Sequence, residues 1–154
     1  MADTSLIENK IGILIWKTSN FWQQKIRKIL KPYNISINEY LVLQSISYLL
    51  LTKSQIYQSE ISGLIGIDIS VTSVTLKSLE VKNYISRKNI NDNRKKIVNI
   101  LKNGNDLFNM INPLIENEEK KLFNKLNNET FNFKNSLKLL LGKKIRIRAI
   151  KQNL

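Results

Sequence analysis

Apolar residues return at steps of three and four through the first thirty positions, and this spacing predicts a long amphipathic helix. The helix ends near Lys31-Pro32, because proline lacks a backbone donor and clashes with the preceding turn. A second helix begins at Ser36, since Ser36 and Glu39 form the S-x-x-E pattern in which each side chain caps a backbone N–H of the other. The apolar faces contain Ile7, Ile11, Leu14, Ile15, Thr18, Trp22, Ile26 and Ile29 in the first helix, and Tyr40, Leu43, Ile46 and Leu50 in the second.

Two more helices follow with almost no linker between them. A short helix from about Gln58 to Ile65 is ended by Gly66, and Asp68 is the predicted N-cap of a helix that runs through Lys82. Two helices joined by about three residues that include a glycine form the helix-turn-helix pattern. The residues of the second of these helices that face inward are Thr72, Thr75, Leu76 and Leu79.

A β-hairpin is predicted directly after the helix-turn-helix. Residues 84–90 and 95–101 are rich in β-branched and aromatic residues, and the turn-favouring residues 91–94 separate them. A helix-turn-helix followed at once by a hairpin is a winged helix. The fold class is therefore mainly α with a small β-hairpin wing.

The last third of the chain predicts two more helices. A long one starts near Asn103, and Pro113 inside it predicts either a kink or a late start. The final helix is stopped by Gly142, and the residues after it form a basic tail. The apolar positions of this final helix are Phe133, Leu137, Leu140 and Leu141.

The net charge of the chain bears on the kind of partner that it binds. The chain has 154 residues with 25 Lys and Arg against 12 Asp and Glu, a net charge of +13. Such an excess suits a polyanionic partner or a membrane surface. High usage of Lys, Asn and Ile also follows from an AT-rich genome, so the position of the charge is more informative than its amount.

Several kinds of chemistry are excluded by composition. The chain has no Cys and no His, which excludes disulfides and removes the commonest metal ligand and general base. Glu118 and Glu119 point in different directions on a helix, so they are not an acid/base pair, and we expect no enzyme and no cofactor. No apolar run has the length of a membrane span and the first ten residues lack a basic signal region, so we expect a soluble cytoplasmic protein without a membrane partner.

The wing carries the most specific motif. Asp92, Arg94, Val98, Ile100 and Gly104 stand at the spacings of the signature D-x-R-x-x-x-V-x-L-T-x-x-G, with Ile for Leu and a Leu for Thr. The stretch ISGLIGIDISVTSVTLKSLEVKNYISR also aligns without a gap. From about residue 11 to 141 the chain resembles the multiple antibiotic resistance regulator (MarR) family of bacterial transcription factors.

This resemblance implies one domain over residues 1–154 with three functional parts. They are a winged helix DNA-binding region at about 36–102, dimerisation helices at about 5–32 and 104–142, and the basic tail at 143–154. It further implies a homodimeric, nucleoid-associated regulator, in the first instance a repressor. Such a dimer binds a pseudo-palindromic operator in double-stranded DNA, with the recognition helix in the major groove and the wing in the minor groove.

The candidate DNA-binding residues come from two elements and one helix start. On the recognition helix, small side chains allow a close approach to bases, and valine methyls can meet thymine methyls. At the hairpin tip the cations cannot all pair internally, and the resemblance implies that Arg94 enters the minor groove with Asp92 orienting it. The complete set is Ser59, Ser70, Val71, Ser73, Val74, Lys77, Arg87, Asp92, Arg94, Lys95 and Lys96.

Three residues depart from the family pattern. Tyr57 stands where the family has a Ser or Thr N-cap, which predicts a different start for the third helix. Val74 replaces an Arg often found in the middle of the recognition helix, and this puts one base or phosphate contact in doubt. Leu101 lacks the hydroxyl with which Thr would cap the next helix.

Two questions stay open at this point. Trp16, Trp22 and Tyr40 cluster near the place where family members bind small aromatic or lipophilic effectors, but aromatic residues at helical spacing are also ordinary core or dimer contacts. The alternative function is a winged-helix module for protein interaction or non-specific nucleic-acid packing. Competition with random DNA separates that alternative from a sequence-specific regulator.

Overall fold

The computed structural model describes residues 8–90 and 92–143, including every side chain in these ranges except those of 92–94. The predicted tail beyond residue 143 lies outside them. The elements are helices α1 (Ile11–Leu30), α2 (Ile37–Leu49), α3 (Gln58–Ile65) and α4 (Ile69–Val81), strands β1 (Ile85–Ile90) and β2 (Asp92–Ile100), and helices α5 (Lys102–Phe123) and α6 (Thr130–Leu140). The mainly helical fold with a two-stranded wing is confirmed.

The predicted boundary between the first two helices is confirmed. Helix α1 passes into a 3-10 turn at Lys31–Tyr33, and Asn34 then adopts a left-handed conformation. The capping box is formed, because the Ser36 hydroxyl accepts from the Glu39 N–H at 3.1 Å and the Glu39 carboxylate accepts from the Ser36 N–H at 2.9 Å. Leu50 differs from the prediction, since it lies beyond the end of α2 and is exposed.

The helix-turn-helix forms as its caps predict. Gly66 ends α3 with φ of 73°, and Asp68 caps α4 by accepting from the Ser70 N–H at 2.8 Å. Tyr57 provides no side-chain cap, and Glu60 accepts from the Tyr57 N–H at 2.9 Å instead. The four residues predicted to face inward, Thr72, Thr75, Leu76 and Leu79, are all buried.

The wing differs from its prediction at the tip. Residues 92–94 are not a turn, because β2 begins at Asp92 and Ile90 pairs with Asp92. The next pair along the ladder is Asn89 with Lys96. Between these two pairs β2 contains residues 93–95, whereas β1 contains none. The extra residues form a bulge, which is how residue types that favour turns are accommodated within a strand.

The wing is joined to the start of the helix-turn-helix by backbone pairing. Tyr57 forms a bridge with Ile97, and the Val98 N–H donates to the Ile56 carbonyl at 2.9 Å. This pairing holds the N-terminus of α3 beside the base of β2. The wing is therefore joined to the helix-turn-helix at both α3 and α4.

Two apolar clusters lie within the N-terminal part of the molecule. One fills the winged helix and contains Val42, Leu43, Ile46, Ile56, Ile61, Leu76, Leu79, Ile85 and Val98. The other joins α1, α2 and α5 and contains Ile26, Leu30, Ile35, Tyr40, Ile111 and Ile115. Partly buried Tyr84, Leu107 and Phe108 pack against both clusters, so the recognition helix and the long helices share one continuous interior.

Helix α5 starts at Lys102 and continues through Pro113, so the proline does not delay it. In its first turn Gly104 lies against the backbone of Tyr84, where a Cβ atom would stand 2.1 Å from the Tyr84 carbonyl oxygen. Only glycine fits at this position without displacing the backbone.

The chain divides into two compact units, Met1–Glu116 and Asn117–Leu154. The second unit contains a 3-10 segment at Asn124–Glu129 and α6, which Gly142 ends with φ of 66° as predicted. Leu137, Leu139 and Leu140 of α6 are exposed. None of the helices within the described ranges has the length and apolar character that crossing a bilayer requires.

Candidate nucleic-acid interface

The outer face of α4 consists of small and branched side chains. Val74 is 70% exposed and Val71 is 40% exposed. Ser70 and Lys77 are also exposed, and Ser73 is half-buried. The structure thus brings together, on one accessible helical face, all five residues predicted for it.

Some hydroxyl groups of α4 form hydrogen bonds within the helix, and others lie on its outer side. Thr72 donates to the Asp68 carbonyl at 3.0 Å and Thr75 to the Val71 carbonyl at 2.8 Å, so both are used within the helix. Ser70 donates to the Asp68 carboxylate, and this bond lowers the pKa of Asp68 from its ordinary value. The Ser70 oxygen keeps an accepting position towards solvent.

A buried carboxylate fixes the inner side of α4. Glu39 accepts from the Ser78 hydroxyl at 2.6 Å and from the Lys82 ammonium at 2.9 Å, and Lys82 also donates to the Asn34 carbonyl at 2.7 Å. Burial acts to raise the pKa of Glu39, but the bonds from Ser78, Ser36 and Lys82 outweigh it and lower that pKa. The recognition helix is thereby tied to the start of α2.

A second ion pair connects α4 to the wing. Glu80 accepts from the Arg87 side chain through Nε at 3.1 Å and Nη2 at 2.8 Å, and from the Arg87 backbone N–H at 3.2 Å. These bonds lower the pKa of Glu80, and the Arg87 side chain is only 10% exposed. Arg87 was predicted to contact DNA, and the structure gives it a position from which it orients β1 relative to α4.

The wing lysines line a cleft beside the recognition helix. Lys95 and Lys96 share a cleft of about 370 Å³ with Ser59, the start of α3 and Ile69 at the start of α4. Free backbone N–H groups at a helix start and two ammonium groups are the usual partners of a phosphate. The side chains of Asp92 and Arg94 lie outside the described residues.

The lysine and arginine side chains of the winged helix differ in whether they pair with a carboxylate. Within the described part of the chain, no ion pair involves Lys77, Lys95 or Lys96, whereas Lys82 and Arg87 each hold a carboxylate. Lys53 near the start of α3 pairs with Glu60 and lowers the pKa of that carboxyl. The outer side of α4 and strand β2 therefore carry positive charge that is not paired with a carboxylate of the described residues.

The three aromatic residues proposed for effector binding lie in different surroundings. Trp22 lines a cleft of about 480 Å³ with Leu41 and Ile65, while Trp16 is 68% exposed on another part of α1. Tyr40 is buried against Phe108, and its hydroxyl donates to Asn112 at 2.9 Å and accepts from Gln44 at 3.1 Å. Tyr40 thus packs in the core, whereas Trp22 lines a cleft between α1, α2 and α3.

Sequence reasoning missed the positioning residues Glu39, Ser78, Glu80 and Lys82. Glu39 was identified only as a helix cap, and its partner Lys82 is 43 residues away in the chain. Glu80, Lys82 and Arg87 lie in the stretch that aligns with the family without a gap, and this alignment does not indicate how they pair.

The fold is a winged helix-turn-helix with a cationic outer face. The model of the MarR family matches residues 35–97, which cover α2, α3, α4, β1 and most of β2. A relative described as an uncharacterized HTH-type transcriptional regulator, YdcH of Bacillus subtilis strain 168, is 24% identical over 113 residues, 73% of this chain and 77% of the relative.

Solved structures agree in fold. The MepR–DNA complex of S. aureus superposes with a TM-score of 0.79 at 21% identity, over 86% of this chain and 96% of that one. CouR of Rhodococcus jostii RHA1, bound to p-coumaroyl-CoA, gives 0.75 at 16% identity, over 91% and 97%. The chain is thus similar to the MarR family over its winged helix and shares the fold of these solved regulators.

Proposed function

We propose that this protein is a transcriptional regulator of the MarR type, a homodimeric repressor that binds a pseudo-palindromic operator. The observation that carries the proposal is the juxtaposition of the outer face of α4 with the lysine-lined cleft at β2. The similar MepR structure is a complex with DNA, which supports the same use of this face. As a DNA-bound regulator the protein acts where the chromosome lies, in the cytoplasm at the nucleoid.

The dimer is supported by apolar surface that the rest of the described chain leaves exposed. Ile11, Leu14, Ile15 and Trp16 are exposed along the first half of α1, and so are Leu137, Leu139 and Leu140 of α6. Patches of this kind are covered by a partner in soluble proteins. A second copy brings two recognition helices about 34 Å apart, one turn of duplex, and so accounts for a palindromic site.

Response to a small aromatic or lipophilic effector is a further part of the proposal. The cleft at Trp22 is bounded by α1, α2 and α3, so a ligand there touches both a long helix and the helix-turn-helix. CouR is a structural neighbour with a bound p-coumaroyl-CoA. Such a ligand lowers DNA affinity only if it binds more tightly to a dimer geometry that cannot bind DNA.

Competition binding tests the proposed function. A duplex selected from a random pool by the full chain is expected to stay bound in the presence of excess random DNA. Loss of the selected and the random duplex to the same degree would instead show a packing module, and failure to bind any duplex would contradict the proposal. Sedimentation or light scattering of the same sample is expected to show a dimer.

The wing is tested by Arg94→Ala. This change is expected to weaken operator binding by about 1–3 kcal/mol, because an arginine in the minor groove is lost. Lys28→Ala is the control, since it removes one exposed positive charge of α1 outside the proposed interface. Equal operator affinity of Arg94→Ala and Lys28→Ala would remove the wing from the proposal.

A further inference from the structure

We propose that the recognition helix α4 identifies its operator through the 5-methyl groups of two adjacent thymines, which Val71 and Val74 contact in the major groove. This inference rests on the proposed function, since it assumes that α4 enters the major groove. It adds the chemical basis of specificity.

The composition of α4 leaves only one of the common hydrogen-bonding readers of purines. Arg and Lys bind guanine, and Asn and Gln bind adenine, each through two bonds to the base edge. The sequence ISVTSVTLKSLEV contains no Arg, Asn or Gln. Its one lysine is Lys77, in the second half of the helix.

The charged groups at the end of α4 are already engaged. The Glu80 carboxylate holds Arg87, and the Lys82 ammonium holds Glu39 and the Asn34 carbonyl. Glu80 is therefore not available to accept from cytosine, and Lys82 is not available for guanine.

The polar groups that remain are small. Thr72 and Thr75 donate to backbone carbonyls within the helix, so their hydroxyls do not reach a base. Ser70 donates to Asp68 and keeps only an accepting position, and Ser73 has a short side chain. The largest side chains left on the outer face in the first half of α4 are those of valine and Ile69.

Valine methyls in this position have a specific complement in DNA. Thymine alone among the four bases presents a methyl group in the major groove, and contact between methyl groups removes apolar surface of both from water. Val71 and Val74 are three residues apart, and side chains at this spacing are about 5–6 Å apart on one face. Bases stacked about 3.4 Å apart on one strand therefore lie within reach of both.

The test replaces thymine by deoxyuridine, which differs only by the missing methyl. In the operator selected by the full chain, we expect two adjacent thymines in each half-site. Deoxyuridine at either one is expected to weaken binding about fourfold, the effect of one buried methyl-sized group. Binding that is unchanged by deoxyuridine at every thymine of the half-site would overturn the inference.

Protein variants locate the contact. In Val74→Ala, the thymine-to-deoxyuridine ratio at one position is expected to fall to about one, and Val71→Ala is expected to do the same at the other position. Val81→Ala is the matched control, because Val81 is 75% exposed on the same helix but stands at its C-terminal end, away from the residues that meet bases. It is expected to leave both ratios unchanged.

The outcomes separate this inference from the proposed function. Sequence-specific binding in which both alanine variants keep the wild-type ratios would overturn the methyl contact and leave the regulator intact. Specific binding that depends on guanines in place of thymines would do the same. Absence of any sequence preference would contradict the proposed function itself, and the inference with it.

Discussion

The inner and outer sides of the recognition helix α4 differ in burial and in the partners of their side chains. On its inner side Thr72, Thr75, Leu76 and Leu79 are buried, and Ser78, Glu80 and Lys82 each have a defined partner. On its outer side Val71, Val74 and Lys77 project into solvent. The positively charged side chains of this region are therefore of two kinds. Those on the inner side pair with carboxylates and orient the helix, and those on the outer side are accessible to a partner.

This comparison predicts which property each substitution changes. Changes on the inner side are expected to lower the free energy of unfolding or to misplace the helix. Changes on the outer side are expected to lower DNA affinity and to leave stability within about 0.5 kcal/mol of the wild type, as is usual for exposed positions.

The largest expected loss of stability follows from Gly104→Ala. The added Cβ would meet the Tyr84 carbonyl oxygen at 2.1 Å, and that oxygen also accepts from the Leu101 N–H at 2.9 Å. Because backbone must move to make room, we expect the free energy of unfolding to fall by about 3 kcal/mol, measured by urea denaturation.

Gly63→Ala is the matched control for this prediction. Gly63 lies in α3 with nothing within 4 Å of the added Cβ. Alanine favours a helix over glycine by about 0.8–1.0 kcal/mol, so this variant is expected to be more stable than the wild type. Equal unfolding energies for the two variants would contradict the close packing of α5 against the start of the wing.

A smaller loss is expected from Glu39→Gln. The amide leaves Lys82 without its carboxylate and weakens the bond from Ser78, and we expect a loss of about 2 kcal/mol at neutral pH. The pKa of Glu39 is lowered in the folded state, so its contribution is present above the unfolded value of about 4.5 and is lost as the pH falls through the folded pKa.

The pH dependence identifies the charge as the cause. The difference in stability between the wild type and Glu39→Gln is expected to be largest near pH 7 and to shrink as the pH is lowered below 4.5 towards the folded pKa. A difference that stays constant over this range would show that the carboxylate charge contributes nothing and that shape alone matters.

The smallest expected effect is that of Arg87→Gln on DNA binding. If Arg87 positions the wing by holding Glu80, operator affinity falls by about 1 kcal/mol while the salt dependence of binding stays as in the wild type. Lys95→Ala, on the outer side, is expected to reduce the slope of log K against log salt by about 1. A similar reduction in Arg87→Gln would show that Arg87 contacts a phosphate directly.

Local features of the fold could be predicted from the sequence. The capping box at Ser36 and Glu39, the stop at Gly66 and the cap at Asp68 each depend on residues within a few positions, and all three are formed. The outer face of α4 followed from helical periodicity alone. These features depend on hydrogen bonds and backbone angles of residues that are close in the chain. Periodicity and capping patterns therefore predict them well.

Features that depend on tertiary placement could not be predicted in this way. The bond from Lys82 to Glu39 spans 43 residues, and the pairing of Arg87 with Glu80 depends on how β1 crosses the end of α4. The bulge near Asn89 and Ile90 places residues 92–94 in a strand, although their types favour a turn. In each case neighbouring elements decide the outcome, and the local sequence does not contain them.

The salt dependence of operator binding shows whether the outer side of α4 and the wing engage the phosphates of duplex DNA. Affinity measured between 50 and 200 mM salt is expected to fall by about 10³–10⁵ if 6–10 phosphates are contacted. The double variant Lys95→Ala/Lys96→Ala is expected to reduce the log–log slope by about 2. An affinity that stays constant across this range, in the wild type as in the double variant, would contradict the account.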